Sequence, residues 1–263
     1  MKPRMKTILD AFHKYNSENM AELAFGLRRD INYDAVVVAP SYTPYKLGMD
    51  KFCHVTTLHE SVHEAGYLVE KDNLIIAWIR TGIGAGSCMD YMSACGELRV
   101  KKYIFVGSVG ALTPDHSLGE LCTPSSSIEG ALANTYLKES LKDYVPFEKV
   151  YPTAYVDEML EKLEQREIVL QKAPVFCTDS VALEYLHLDE IKELGAQLIE
   201  METATFYRMT DLLEVPGIAL LVVSDNSATG NALVGRSEQE QEIYERAKTE
   251  LLPKAILEVC KVG

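Results

Sequence analysis

Two carboxylates bracket one methionine at Glu200-Met201-Glu202, between the apolar pair Leu198-Ile199 and the small residues Thr203-Ala204-Thr205. On a strand, residues two apart share a face, so both acids would point the same way. At a helix start they would meet the free backbone N–H groups of the first turn, which favour negative charge. A third acid, Asp225, follows the apolar run Gly217–Val223 and Ser224. In open α/β sheets chemistry gathers at the carboxyl ends of strands, which singles these acids out. Two glycine turns, Gly82-Ile83-Gly84 and Gly107-Ser108-Val109-Gly110, each follow an apolar run, and glycine lets backbone approach a ligand closely. His59-Glu60-Ser61-Val62-His63 spells the H-E-x-x-H pattern of zinc proteases. The β-branched lead-in Val55-Thr56-Thr57 argues for a strand instead, so no metal site is expected.

These residues need elements to hold them. Apolar runs predict strands at 34–39, 73–80, 103–106, 175–181 and 217–223. Helical spacing predicts two short helices within 5–29, broken near Asn16-Ser17-Glu18 and closed by Arg28-Arg29. Further helices are expected at 89–98, 156–168 and 238–259, the last kinked or interrupted by Pro253. The alternation is that of an α/β protein. The chain has 263 residues, 47% hydrophobic, enough for a sizeable core. A formal charge of −13, with no basic cluster larger than Arg99-Val100-Lys101-Lys102, argues against nucleic acid as a partner. No apolar run reaches the length of a membrane span, and the N-terminus lacks the apolar core of a signal peptide. Six cysteines without a C-x-x-C pair suggest reduced thiols and a cytoplasmic location.

Glu-Met-Glu followed by small residues, then an apolar strand ending in Ser-Asp, resembles the nucleoside phosphorylase and nucleosidase superfamily. The Gly-Ser-x-Gly turn at 107–110 is the second match, and the likeness runs over about residues 34 to 260. It implies a single α/β domain with a central mixed, twisted sheet flanked by helices. Residues 1–33 would be a helical extension and 34–263 the catalytic domain. It also implies that Met201 packs under a ribose while Glu202, with Glu200 beside it, binds the sugar hydroxyls. Asp225 would protonate a purine leaving group, and Arg236 would pair with that aspartate. Gly107 and Ser108 would hold phosphate or the attacking water, with Lys46 and Arg80 as candidate cations. Thr178, Val181, Phe176 and Asn226 would line the base pocket, and Thr81 and Gly82 would bring backbone to the ligand.

The chain departs from the phosphorylase pattern at two points. The first-strand loop reads Pro40-Ser41-Tyr42 where phosphorylases carry Gly-Asp-Pro and then an arginine. Phe105 stands where they usually have another arginine. A buried phosphate dianion without a forked donor is costly. Arg80, or Arg28 or Arg29 from a second subunit, could replace the charge. Cleavage of a purine nucleoside is the expected reaction. Phosphorolysis to free base and ribose 1-phosphate ranks first, and hydrolysis of a nucleoside or AMP second. A non-catalytic nucleoside-binding protein is a further reading. No cofactor is expected beyond phosphate as co-substrate, and the family implies a homo-oligomer. A dinucleotide oxidoreductase is disfavoured because Ser87 stands where that fingerprint has its third glycine, and no acid ends the next strand.

Overall fold

A computed structural model describes residues 1–16 and 19–262. Chain order gives helices α1 (Pro3–His13) and α2 (Met20–Phe25), strands β1 (Ala35–Ala39), β2 (His54–Glu60), β3 (Ala65–Lys71) and β4 (Leu74–Arg80), and helix α3 (Ala85–Ala94). Then come β5 (Tyr103–Ala111), β6 (Leu121–Glu129), α4 (Tyr155–Glu164), β7 (Gln171–Cys177), α5 (Leu188–Glu193), β8 (Leu198–Glu200), α6 (Thr203–Leu213) and β9 (Gly217–Asn226). Helices α7 (Glu238–Arg246) and α8 (Leu252–Lys261) close the chain, joined by one π-helical turn, Ala247–Leu251.

The strands lie in the order β8-β7-β6-β9-β5-β1-β4-β3-β2. Pairing is parallel through β5, β1 and β4 and antiparallel through β4, β3 and β2, so the sheet is mixed. The end of β8 also pairs with β5, Leu198 opposite Ala111 and Ile199 opposite Gly110. Strands β5, β9, β6, β7 and β8 therefore form a closed ring. Helix α6 packs on α3 and on four of these five strands, while α4, α7 and α8 pack on β9. This is the expected α/β architecture: one domain with a mixed sheet flanked by helices.

Burial on both faces explains the strands. Val36, Val37 and Val38 are all fully buried, as are Ile218, Ala219, Leu221, Val222 and Val223. Parallel strands covered on both sides read as continuous apolar runs for this reason. Met5, Phe25 and Leu27 join the same core, so the N-terminal helices share it. Among the described residues, no helix is long and apolar enough to cross a membrane.

Several boundaries differ from expectation. Helix α3 starts at Ala85 rather than Met89, because Gly84, at φ +107°, turns the chain directly into it. Gly26, in the left-handed region at φ +69°, ends α2, so Arg28 and Arg29 lie beyond the helix and pair with Asp30 and Glu97. Glycine without a Cβ is suited to that capping position. The expected break at Ser17-Glu18 falls outside the described residues. Strand β9 runs on through Ser224 to Asn226 across a bulge between Val223 and Asp225. Pro253 sits in the first turn of α8, and the ladder upstream loosens into the π-helical turn. His59 lies on β2 and His63 beyond its end, so the H-E-x-x-H residues share no helix face.

One close contact locks α2 to the sheet. A Cβ added at Gly66 of β3 would lie 2.0 Å from the Phe25 carbonyl oxygen. Gly66→Ala should therefore cost about 1–3 kcal/mol by forcing backbone apart. Denaturant unfolding would check this, with a midpoint fall at unchanged slope as the expected result.

Candidate active site

The end of β8 and the start of α6 put Glu200, Met201 and Glu202 into a cavity of about 230 Å³. Glu200 is the last residue of β8, and Glu202 occupies the N-cap position of α6. Both predicted local structures are thus present, in succession. The Glu200 carboxylate is fully engaged inside the protein. Its Oε2 accepts the backbone N–H of Glu202 at 2.7 Å and of Thr203 at 2.9 Å. Its Oε1 accepts from Thr203 Oγ1 at 2.8 Å and from Cys177 Sγ at 2.8 Å. Glu200 so caps the helix and ties it to β7.

Glu202 is buried as deeply but less well served: its Oε1 accepts the Gly84 N–H at 2.5 Å. Two adjacent buried carboxylates resist being charged together. Burial raises both, while the four donors on Glu200 pull the other way and hold it as the charged member. The proton falls on Glu202, pushed up to about 8 by burial and by the Glu200 charge. Gly84, not Gly82, is the residue whose backbone meets this acid. Thr81 is buried, its hydroxyl donates to the Gly82 carbonyl, and neither residue lines the cavity.

Asp225 lines the same cavity beyond the bulge in β9. It pairs with Gly110, where a Cβ would sit 3.0 Å from Asp225 Oδ2 and 3.1 Å from Ile199 Cγ2. A side chain at 110 would crowd the acid and β8 together, which accounts for the glycine. Burial raises the Asp225 carboxyl, opposed by the Ser224 hydroxyl, which donates to Oδ1 at 2.6 Å, and by Arg236. Arg236 donates to the Ser224 carbonyl at 2.8 Å and lies 4.5 Å over the Tyr244 ring. It does not line the cavity.

Gly107, Ser108, Thr178 and Val181 also line it. The other candidates do not. Lys46 is exposed and donates to the Ser41 carbonyl at 3.2 Å. Arg80 donates to the carbonyls of Ser61 at 2.7 Å and Val62 at 3.3 Å. Phe176 packs in a small apolar cluster with Ile128, Ile191 and Ile199. The Asn226 amide donates to the carbonyls of Thr113 at 2.9 Å and His116 at 2.7 Å, and its oxygen accepts from the loop that follows. Phe105 is buried against Phe206 of α6, away from the cavity.

Three participants were not anticipated. Glu184 lines the cavity and is raised to about 7 by burial and by Asp225. Tyr42 and Tyr244 both bond Ser108. No local pattern marks any of the three, because their partners are remote in sequence. Four carboxyl residues therefore face the cavity, Glu184, Glu200, Glu202 and Asp225, and no lysine or arginine does among the described residues. One group elsewhere has metal-ligand chemistry: His116, Glu120 and Cys122, with ligand atoms within 4.8 Å of one another. Their mutual bonds, Glu120 accepting from His116 Nδ1 at 2.8 Å and from Cys122 Sγ at 3.8 Å, already occupy them.

The chain is similar to known proteins in sequence and in fold. Residues 49–256 match the profile of the phosphorylase superfamily. The DeoD-type purine nucleoside phosphorylases of Thermoanaerobacter sp. (strain X514) and Thermoanaerobacter pseudethanolicus are 26% identical over 163 residues, 61% of this chain and 68% of theirs. The 5′-methylthioadenosine/S-adenosyl homocysteine nucleosidase of Campylobacter jejuni superimposes with a TM-score of 0.68 at 18% identity, covering 86% of this chain and 98% of that one. The AMP nucleosidase of Bacteroides thetaiotaomicron gives 0.65 at 17% identity, covering 98% and 97%. With the matched profile spanning most of its length, the chain belongs to the phosphorylase superfamily, whose members are nucleoside phosphorylases and N-ribosyl nucleosidases.

Proposed function

We propose that this protein cleaves the N-glycosidic bond of a purine nucleoside, with water as the acceptor. The observation that carries this is the charge of the cavity: four carboxyl residues and no cation among its described lining residues. Breaking the bond builds positive charge on the ribose, which carboxylates stabilise. A phosphate dianion in the same cavity would find no lysine or arginine among the described lining residues to repay its lost hydration, and any ionised carboxyl there would repel it. The same argument favours a nucleoside over a nucleotide. A cytosolic homo-oligomer engaged in purine salvage is the setting this reading implies. Exposed Leu132, Tyr136 and Leu141 are apolar surface suited to a second subunit.

The roles follow from position. Glu202 grips the sugar hydroxyls, Met201 forms the apolar floor, and Glu200 positions both by capping α6. Asp225 gives a proton to the base as the bond from C1′ to the base nitrogen breaks and its electron pair leaves with the base. Water adds at C1′, and the proton it loses balances the one Asp225 gave. Thr178 and Val181 flank the base.

One observation favours a second reading. Arg236 lies over Tyr244, whose hydroxyl bonds Ser108 at 2.7 Å. It is a cation within reach of that hydroxyl pair, and the curated relatives named above are phosphorylases. Product analysis with purine nucleosides and AMP, with and without phosphate, decides. Free base and ribose without phosphate is the expected result. Strict phosphate dependence with ribose 1-phosphate would establish phosphorolysis, and no release from any substrate would establish a binding protein.

Asp225→Asn should lower turnover roughly 10²–10⁴-fold, the usual range for a lost general acid. Steady-state kinetics would check it, and a drop of only a few-fold would rule out the acid role. Glu202 adds a pH signature. An unfolded glutamate loses its proton near about 4.3, while folded Glu202 keeps it until about 8. The folded state therefore holds the extra proton, and stability falls as pH rises through that window. Glu202→Gln should melt higher than the wild type at pH 8 yet fail to bind nucleoside. Equal melting temperatures at pH 8 would contradict the assignment.

A further inference from the structure

Three hydroxyl groups meet behind Ser108. Tyr42, from the loop after β1, bonds Ser108 Oγ, and it also bonds the Tyr244 hydroxyl of α7 at 2.5 Å. Tyr244 in turn bonds Ser108 Oγ at 2.7 Å, closing a triangle. Both tyrosines are buried, at 8% and 7% exposure, while Ser108 faces the cavity. The parts are held firmly. The Tyr42 carbonyl accepts from Trp78 Nε1 at 2.9 Å, and the Tyr244 ring lies between Arg236 at 4.5 Å and Lys248 at 5.3 Å. Burial raises the Tyr42 phenol, so it stays protonated.

Counting protons gives the triangle a direction. A hydroxyl has one proton to donate and two lone pairs. Three hydroxyls in mutual contact satisfy all three edges only when each donates once and accepts once around the ring. Every proton is then used inside the ring, and each oxygen keeps one lone pair. The spare lone pair of Ser108 is the one open to the cavity. It accepts a hydrogen and has none to give. A water molecule offers hydrogens. A hydrogenphosphate dianion has one hydrogen to give against three bare acceptor oxygens, and needs several donors from the protein.

We propose that Tyr42 and Tyr244 are positioning residues that fix Ser108 as a hydrogen-bond acceptor, holding the attacking water and excluding phosphate from the acceptor site. The proposal deepens the hydrolytic reading above and rests on it. It assigns work to Tyr42 in the loop that replaces the phosphate-binding sequence and to Tyr244 near the C-terminus. It also explains how a retained Gly-Ser-x-Gly sequence, which lies within β5 rather than in the expected turn, can serve water.

The test uses the full chain as wild type, Y42F, Y244F and the double variant. Phenylalanine keeps the packed ring and removes only the hydroxyl. Opening the ring frees the Ser108 proton and loosens the water. The nucleoside kcat should fall about tenfold or more at unchanged KM, since water positioning enters only the chemical step. A merely structural role would move KM or melting temperature instead. Binding of inorganic phosphate, followed by calorimetry, reads the same change without turnover. The wild type should show none at millimolar phosphate, and the double variant should bind it. Wild-type kcat in all three variants, or phosphate binding equal in wild type and double variant, would overturn the proposal. If the wild type proves phosphate-dependent, the hydrolytic reading and the exclusion of phosphate fail together, whereas phosphate-independent cleavage with wild-type kcat in all three variants sinks this proposal alone. The phosphate titration still decides whether the ring controls Ser108.

Discussion

The site depends on the four hydrogen bonds that converge on the Glu200 carboxylate. They join the end of β8, the start of α6 and the end of β7 at one buried point. Two are backbone N–H groups that a helix start leaves without partners. The other two come from side chains, Thr203 and Cys177, and Thr203 itself reaches Ser127 at 2.7 Å. Remove the carboxylate and several buried donors lose their acceptor together, each at a cost of about 1–3 kcal/mol. The conformation of Glu202 rests on this cap, since its own N–H is one of the four.

That anchoring has an electrostatic consequence. By drawing four donors to itself, Glu200 leaves Glu202 with weaker support, and burial and the Glu200 charge push the Glu202 carboxyl up to about 8. Ribose hydroxyls would supply the missing donors and favour its charged form. Asp225 is raised by burial as well, but Ser224 and Arg236 restrain it. One cavity thus holds two carboxyls raised by burial but balanced differently by their neighbours. The pattern of carboxyls pushed apart by their surroundings is a common means of running acid chemistry near neutral pH.

Much of this was legible in the sequence, and the remainder divides by physical cause. Strands buried on both faces announced themselves as β-branched runs, and Glu-Met-Glu and Ser-Asp marked their own strand ends. Helix α3 was placed late because Gly84-Ala85-Gly86 hides a helix start behind residues that read as turn. Phe105 was recognised as a departure, but only packing revealed that its ring belongs to the core beside Phe206. The hydroxyl ring was invisible, since Tyr42, Ser108 and Tyr244 are joined by tertiary folding across most of the chain. Glu184 was missed for a similar reason: its raised carboxyl comes first from burial and then from the neighbouring Asp225, both set by tertiary folding.

The closed ring of β5, β9, β6, β7 and β8 bears on motion. Glu200 and Asp225 belong to strands of that ring, and Gly110 touches both strands. A closed ring has no edge along which it can splay, so the two halves of the site cannot part on a hinge between them. Passage of substrate in and product out falls to the rim, where the segments after β7 and β9 contribute Val181, Glu184 and Leu233. Chemistry and traffic are thereby assigned to different parts of the chain. Sequence drift at the outer rim, around Leu233, would change how fast the enzyme empties while the ring keeps Glu200 and Asp225 in register.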